Sequence, residues 1–305
     1  MLRQLNLPEL YLEDALPFID HVLTETYEEY PKVSEVLFNV KDMPYGIAQT
    51  AQVSSLGAAA EVAEGEEIPQ QRVYPGYSTT YKSKKYGLLL STSQEVIDHE
   101  KWDSISKNPK RMARAMASTI EIVAANVLNT AFSTNGSDGV PMISASHPLL
   151  SPGAGLGSNI ISSAADLSTT SIKDLLTVLR KTLDTSGNRI QIKAKNLVVP
   201  PELEFAAWEI LKSVYLADSP NNNLSSIGPQ SDYRITPVVW NYLTDADAFF
   251  LMGDKEDHEI NLYYDKKPEV KSAMDFKTDT ALTRMLCRFT VGYSDWRGIV
   301  GSAGV

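Results

Sequence analysis

Ser144, Ser146 and His147, in the run "SASHPL", come nearest to covalent chemistry by residue type in this sequence. A serine hydroxyl beside an imidazole can begin an acyl transfer if the ring takes the hydroxyl proton. Serine and histidine this close on one chain cannot readily point at each other, and no G-x-S-x-G elbow leads into a helix here. The competing reading is a turn histidine held by Pro148. A cytosolic hydrolase using the loop at 141–163 stays as one functional class, and it requires that His147→Ala abolish an activity.

Other runs fall short of their chemistry. "GAGLGS" (153–158) follows Ser-Pro instead of a strand, so its glycines serve a loop and not a dinucleotide fingerprint. His21, His99, His147 and His258 lack paired ligand spacing. "GDKEDHE" (253–259) has no central glycine for a calcium loop and reads as a solvated turn. Asp98, Glu100 and Asp103, around Trp102, suit sugar chemistry by type but read as caps and ion pairs at the base of a helix. The single cysteine, Cys287, excludes an internal disulfide and a cysteine-built zinc site; in the apolar run "TRMLCRFTV" it reads as a buried thiol. No catalytic, cofactor or metal site is expected.

The totals narrow the class further. At 43% hydrophobic and 22% charged, the chain is expected to fold, and 305 residues allow one large core or two domains. A formal charge of −10 argues against a protein built to grip phosphates, though not against enclosing nucleic acid. No apolar run is long enough to span a bilayer. Glu9, Glu13 and Asp14 stand where a secretory signal needs apolar residues, so the chain reads as a cytosolic product.

Several elements follow from periodicity. Leu10, Leu12, Leu16, Ile19, Val22 and Leu23 give an amphipathic helix over 9–30, closed by Tyr30-Pro31. The spacing of Met112, Met116, Ile120, Val123, Val127 and Ala131 predicts a helix over 108–133, with Asn108 as its cap and Pro109 at its first position. "SIKDLLTVLRKTLDTSG" predicts a helix ending near Gly187, and "PELEFAAWEILKSVYL" one starting at Pro201. "KNLVVPP", "ITPVVW", "AFFLM" and "EINLYY" read as strands, and 218–232 as a polar loop. In the last strand Met285, Cys287, Phe289, Val291 and Tyr293 share one face, with Arg284 and Arg288 on the other.

The stretch 64–87, "EGEEIPQQRVYPGYSTTYKSKKYG", has almost nothing aliphatic to bury. It reads as a hairpin arm with limbs of about 11 residues. Tyr77, Thr79 and Tyr81 share one face; Tyr86, Leu88 and Leu90 share the next in the opposite phase, so a bend is expected near Ser83 to Lys85. A lone hairpin is marginal in water, so its support must come from elsewhere.

The order of these parts carries a resemblance. An acidic N-terminal segment precedes "AEG-x-x-x-P" and an arm that returns through "GLLLSTSQEVIDHE" into a long helix. "LVVPPELEFAAWEILKS" and "MLCRFTVGYSDWRGIV" follow. From about Leu10 onward the chain resembles major capsid proteins of tailed bacteriophages, of the Hong Kong phage capsid fold. "ISASHPLLSPGAGLGSN" is similar to the Mu-type head-subunit branch. The resemblance implies an α+β fold with an N-terminal arm (1–35), a peripheral domain (36–164) and an axial α/β domain (165–255), the peripheral domain being completed by return strands (256–305). The peripheral domain would hold the extended loop (58–87) and the spine helix (108–133). It implies self-assembly into pentamers and hexamers of an icosahedral shell that contains packaged DNA non-specifically, formed in the bacterial host cytoplasm. A helix beginning near Leu10 lacks the long N-terminal scaffolding segment of some relatives, so, unless the chain is already processed, a separate scaffolding protein is an implied partner, together with a portal. No membrane partner is implied. An encapsulin-like compartment enclosing enzymes is the nearest alternative.

The resemblance also assigns a subunit interface. Glu64, Glu66, Glu67, Tyr77, Tyr81, Lys82, Lys84 and Lys85 belong to the arm, whose acidic end would meet a neighbour's cations and whose basic end its acids. Exposed pairs are worth only about 0–1 kcal/mol each, so affinity must come from repetition and tyrosine burial. Lys110, Arg111 and Arg114, with Lys107, would face packaged DNA or the acidic N-terminal arm of a neighbour; since they oppose the dipole of a helix starting at Asn108, Glu25, Glu28 or Glu29 of some subunit is the favoured partner.

Overall fold

The computed structural model describes residues 21–93, 102–151, 155–214, 225–229, 231–275, 277–278 and 280–305, with only the backbone of 102–106 and 274. The N-terminal helix reading before residue 21, Asp98 and Glu100, the side chain of Asp103, and just over half of the 218–232 loop lie outside what is described.

Helix α1 (21–29) and the short α2 (Val33–Leu37) lead into β1 (Asn39–Asp42). β2 (Ile47–Val53) and β3 (Pro75–Lys82) pair antiparallel as a two-stranded ribbon. β4 (Lys84–Ser93) follows, then the spine helix α3 (Trp102–Asn129), about 42 Å long at ~1.5 Å per residue. β5 (His147–Pro148) and β6 (Leu156–Gly157) form a small hairpin. Next come α4 (Thr169–Arg180), β7 (Asn196–Val199), a 3-10 turn at Pro201–Leu203, and α5 (Glu204–Lys212). The chain closes with β8 (Thr236–Val239), β9 (Phe249–Met252), the long β10 (Ile260–Asp275) and β11 (Thr280–Tyr293), and β12 (Ile299–Ser302).

Two four-stranded sheets organise these parts, in the orders β1-β10-β11-β4 and β12-β9-β7-β8. The first buries one face under α3: Met285, Cys287 and Phe289 of β11 pack with Met112, Met116 and Ile120. The alternation read from "TRMLCRFTV" is therefore the inward face of a half-buried strand. Cys287 lies at its centre with Sγ 3.4 Å from Met116 Sδ, and burial pushes its thiol up to about 12, which fits a packing role. The second sheet packs β7, β9 and β12 against α4 and α5 through Leu197, Leu251 and Leu175. "KNLVVPP" and "AFFLM" are its buried strands, as expected.

Three local expectations need correction. The stretch 64–87 is not a hairpin arm paired with itself. β3 pairs with β2, while β4 pairs with β11 from Phe289 to Thr280, so the strands on either side of Ser83 join different sheets. The expected bend is present at Ser83, whose N–H donates to the Gly46 carbonyl and whose hydroxyl donates to Asp265 Oδ2. Second, α3 starts at Trp102, which places Pro109 inside the helix. A proline there forfeits one backbone bond and crowds the preceding turn; Pro109 is buried, and apolar packing along the same helix offsets that cost. Third, α4 stops at Arg180 instead of near Gly187. Beyond it the Asp184 carboxylate accepts from the N–H groups of Ser186 and Asn188 and closes a turn bridged by Leu183 and Arg189.

Candidate assembly interface

Residues 57–73 join the strands of the ribbon and lie almost wholly in solvent. Glu61, Glu64, Glu66 and Glu67 are all exposed, and Ile68 is 78% exposed. The loop is closed at its neck. Gln71 Nε2 donates to the carbonyls of Ala58 (3.1 Å) and Gly57 (3.4 Å). Below the neck, the Ser55 N–H donates to Thr185 Oγ1 at 2.7 Å, and Asn188 Nδ2 to the Leu56 carbonyl at 3.2 Å. The segment is thus pinned at its root and unpacked beyond it. Such a loop gains no hydrophobic stabilisation from its own chain.

The ribbon itself belongs to the body. Tyr81 is buried, with its hydroxyl 2.6 Å from Ser294 Oγ and its ring 4.9 Å from that of Tyr263. A Cβ on Gly292 would stand 2.7 Å from the Tyr81 ring, so the glycine is what admits it. The assignment of Tyr81 to a subunit interface is therefore corrected: its ring anchors the ribbon intramolecularly. Tyr77 is half-buried on the same face, whereas Lys82, Lys84 and Lys85 are exposed.

Lys107, Lys110, Arg111 and Arg114 lie on the exposed side of α3. The helix begins well before them, so the dipole cost inferred for a start at Asn108 does not arise; that effect fades within the first turn. Glu25, Glu28 and Glu29 are exposed on α1.

His147 is fully buried and belongs with Pro148 to β5. Its Nδ1 lies 2.6 Å from Asp138 Oδ2, its Nε2 3.2 Å from Asn159 Oδ1, and its ring stacks on Trp296 at 4.3 Å. Asn159 is fixed in turn, donating to the carbonyls of Met142 and Ile299 and accepting from the Ser144 N–H. The Ser144 hydroxyl lies 3.4 Å from Ser146 Oγ. Both ring nitrogens are thus engaged away from either serine, and the group ties the loop after α3 to β12.

Sequence reasoning missed a second buried clamp. Glu121 of α3 accepts from the Ser34 N–H (3.1 Å), the Ser34 hydroxyl (2.6 Å) and Trp240 Nε1 (3.0 Å). Burial raises its carboxyl above the ordinary carboxylate range, against the pull of these donors. An acidic residue at a helical position one step off the apolar stripe gives no sign in sequence of partners 87 and 119 residues away.

The arrangement of the two sheets, ribbon and spine helix matches solved shell proteins. The capsid of the cyanophage P-SCSP1u superposes with a TM-score of 0.59 at 11% identity, over 90% of this chain and 88% of that one. The capsid of a native GTA particle gives 0.54 at 16%, over 90% and 89%. A virus-like particle from Pyrococcus furiosus gives 0.53 at 9%, over 94% and 98%. No curated protein matches in sequence. These likenesses define the class as the α+β fold of phage capsid subunits. The family model described as phage capsid protein matches residues 76–302, well over half of the chain, and the chain belongs to that family. It is a structural protein, a major capsid subunit of the virion shell that assembles with its own copies.

Proposed function

We propose that this subunit closes an icosahedral shell of pentamers and hexamers around packaged DNA, with residues 57–73 laid across a neighbouring copy. The observation that carries this is the exposed, acidic loop with Ile68 in solvent, rooted on Thr185 and Asn188 and left without packing of its own. Glu64, Glu66 and Glu67 would meet a neighbour's cations, and Lys82, Lys84 and Lys85 its acids. Lys110, Arg111 and Arg114 would face acids such as Glu25, Glu28 or Glu29 of another copy. Tyr77 flanks the contact. Head-to-tail pairing of unlike surfaces closes rings, as capsomers require.

In this reading 1–35 is the N-terminal arm, 36–164 with 256–305 the peripheral domain, and 165–255 the axial domain. Two cores, one under α3 and one around α4 and α5, support the division in outline, although β12 pairs with β9 in the second sheet and Trp240 and Phe250 reach into the first core. Assembly would occur in the bacterial host cytoplasm with a scaffolding protein and a portal, and without catalysis.

The test is a shortened loop. Gln71 already touches Ala58, so replacing 60–69 with two glycines spares β2 and β3. The variant should remain folded by circular dichroism yet form no shells by negative-stain microscopy. Shell yield equal to the wild type would refute the reading. An encapsulin-like compartment for cargo enzymes is the alternative function. Nuclease-protected DNA of genome length inside purified particles separates the two.

A further inference from the structure

The sheet β1-β10-β11-β4 has a second face, turned away from α3. Register sets what lies on it, because directly paired residues point to the same side. Across β4, β11 and β10 the rows read Lys85–Arg288–Lys266, Gly87–Leu286–Glu269 and Leu89–Arg284–Lys271. The phase on β10 depends on two register shifts, between Tyr264 and Lys266 and between Lys266 and Glu269, with Pro268 inside the second. Without them these side chains would not line up with Arg284 and Arg288.

The middle row is a trough. Gly87 carries no side chain, and a Cβ there would meet nothing closer than 3.5 Å, so Leu286 is left as an open apolar floor. Leu89 extends it at 66% exposed. Cations stand along both walls: Lys85, Lys266 and Arg288 on one side, Arg284 and Lys271 on the other. In a chain of net charge −10 this is a local reversal of sign. Two carboxylates share the site, Glu269 with Lys266 and Lys271, and Asp265 with Arg288. Lys85 and Arg284 have no ion pair among the described residues. The trough already favours a carboxylate, since Lys266 and Lys271 hold that of Glu269 below its ordinary range.

We infer that this trough is the seat for Glu64–Glu67 and Ile68 of a second copy of the chain, the acids between the two cationic walls and Ile68 on Leu286. The sequence of the loop matches the cross-section of the trough: carboxylates followed directly by an exposed aliphatic residue. The same chain cannot fill its own trough. The loop hangs from the far end of β3, about 26 Å from Ser83 at ~3.3 Å per residue, with its root fixed to Thr185 and Asn188, whereas the trough begins at Ser83 and runs the other way along β4. This inference rests on the self-assembly reading and names the surface that reading leaves open.

The test combines charge reversal with trapping in the full-length protein. Arg284→Glu with Arg288→Glu, and separately Glu66→Lys with Glu67→Lys, should each lower particle yield by about tenfold or more. The four changes together should restore it to within about threefold. Ile68→Cys with Leu286→Cys should give intermolecular disulfide ladders on oxidation, while each single cysteine change does not; Cys287 is buried on the opposite face. Wild-type particles forming normally with no 68–286 ladder, and no rescue by the combined reversal, would overturn the seat while leaving self-assembly standing. Reversal at Arg284 and Arg288 that spares particle yield but empties particles of nucleic acid would overturn it in favour of a polynucleotide occupant. Absence of any particles from the wild type would remove both the seat and the reading beneath it.

Discussion

Glu121→Ala is the substitution whose cost can be worked out most fully. The carboxylate sits in the core beneath α3 and satisfies three buried donors: the Ser34 N–H, the Ser34 hydroxyl and the Trp240 indole N–H. Stranding a buried donor costs about 1–3 kcal/mol. The one lost methylene adds about 0.8 kcal/mol. Relief of the carboxylate's own burial cost offsets part of this, so the expected net loss is about 4 kcal/mol. The readout is urea unfolding of purified protein held below its assembly concentration. Glu121→Gln keeps the shape and one acceptor oxygen, and should lose about half as much. The pH dependence adds a second readout. Burial raises the folded-state value above the ordinary 4.5, so the folded protein binds this proton more tightly than the unfolded chain. Its contribution is fully present below 4.5 and is lost as pH rises through the raised folded value; Glu121→Gln should flatten that slope. A loss under about 1 kcal/mol for Glu121→Ala would refute the claim that the clamp joins the N-terminal segment, the spine helix and Trp240.

His258 is buried, and its Nδ1 accepts from the Ile260 N–H. Burial lowers its value below 6.5, so stability is full above 6.5 and falls as pH drops toward the depressed folded value; His258→Asn, which keeps the acceptor, should lose that slope in pH-dependent melting. Gly298 has φ +83°, and a Cβ there would lie 2.3 Å from the Asp257 carbonyl oxygen. Gly298→Ala should cost at least about 2 kcal/mol in the same urea assay. Tyr81→Phe forfeits the bond to Ser294 and should cost about 1 kcal/mol, with faster amide exchange confined to β2 and β3.

Much of the fold was legible because its signals are local. The alternation around Cys287, the buried run of "KNLVVPP" and the apolar stripe from Met112 to Ile120 each fix one element and one face. Strand partners were not legible. Tyr77–Lys82 and Lys84–Leu90 read as the two halves of one arm because they adjoin in sequence, yet their partners lie at 47–53 and 280–289. Helix ends failed where a single residue was given the decision: Pro109 suits a helix start, and only the packing reveals that the helix runs through it. His147 drew notice as a possible catalyst, but its partners Asp138, Asn159 and Trp296 come from three separate segments. The trough was illegible for the same reason. Lys85 was named for the arm and Arg284 and Arg288 for a polar face, but only pairing brings them beside Lys266 and Lys271.

Amide hydrogen exchange over residues 57–73, compared between dilute unassembled subunit and purified shells, bears most directly on the claim that the loop is completed by a sibling. The account predicts fast exchange in the free subunit, slowed by at least about a hundredfold in the shell. Equal rates in the two states, or protection already complete in the free subunit, would contradict it.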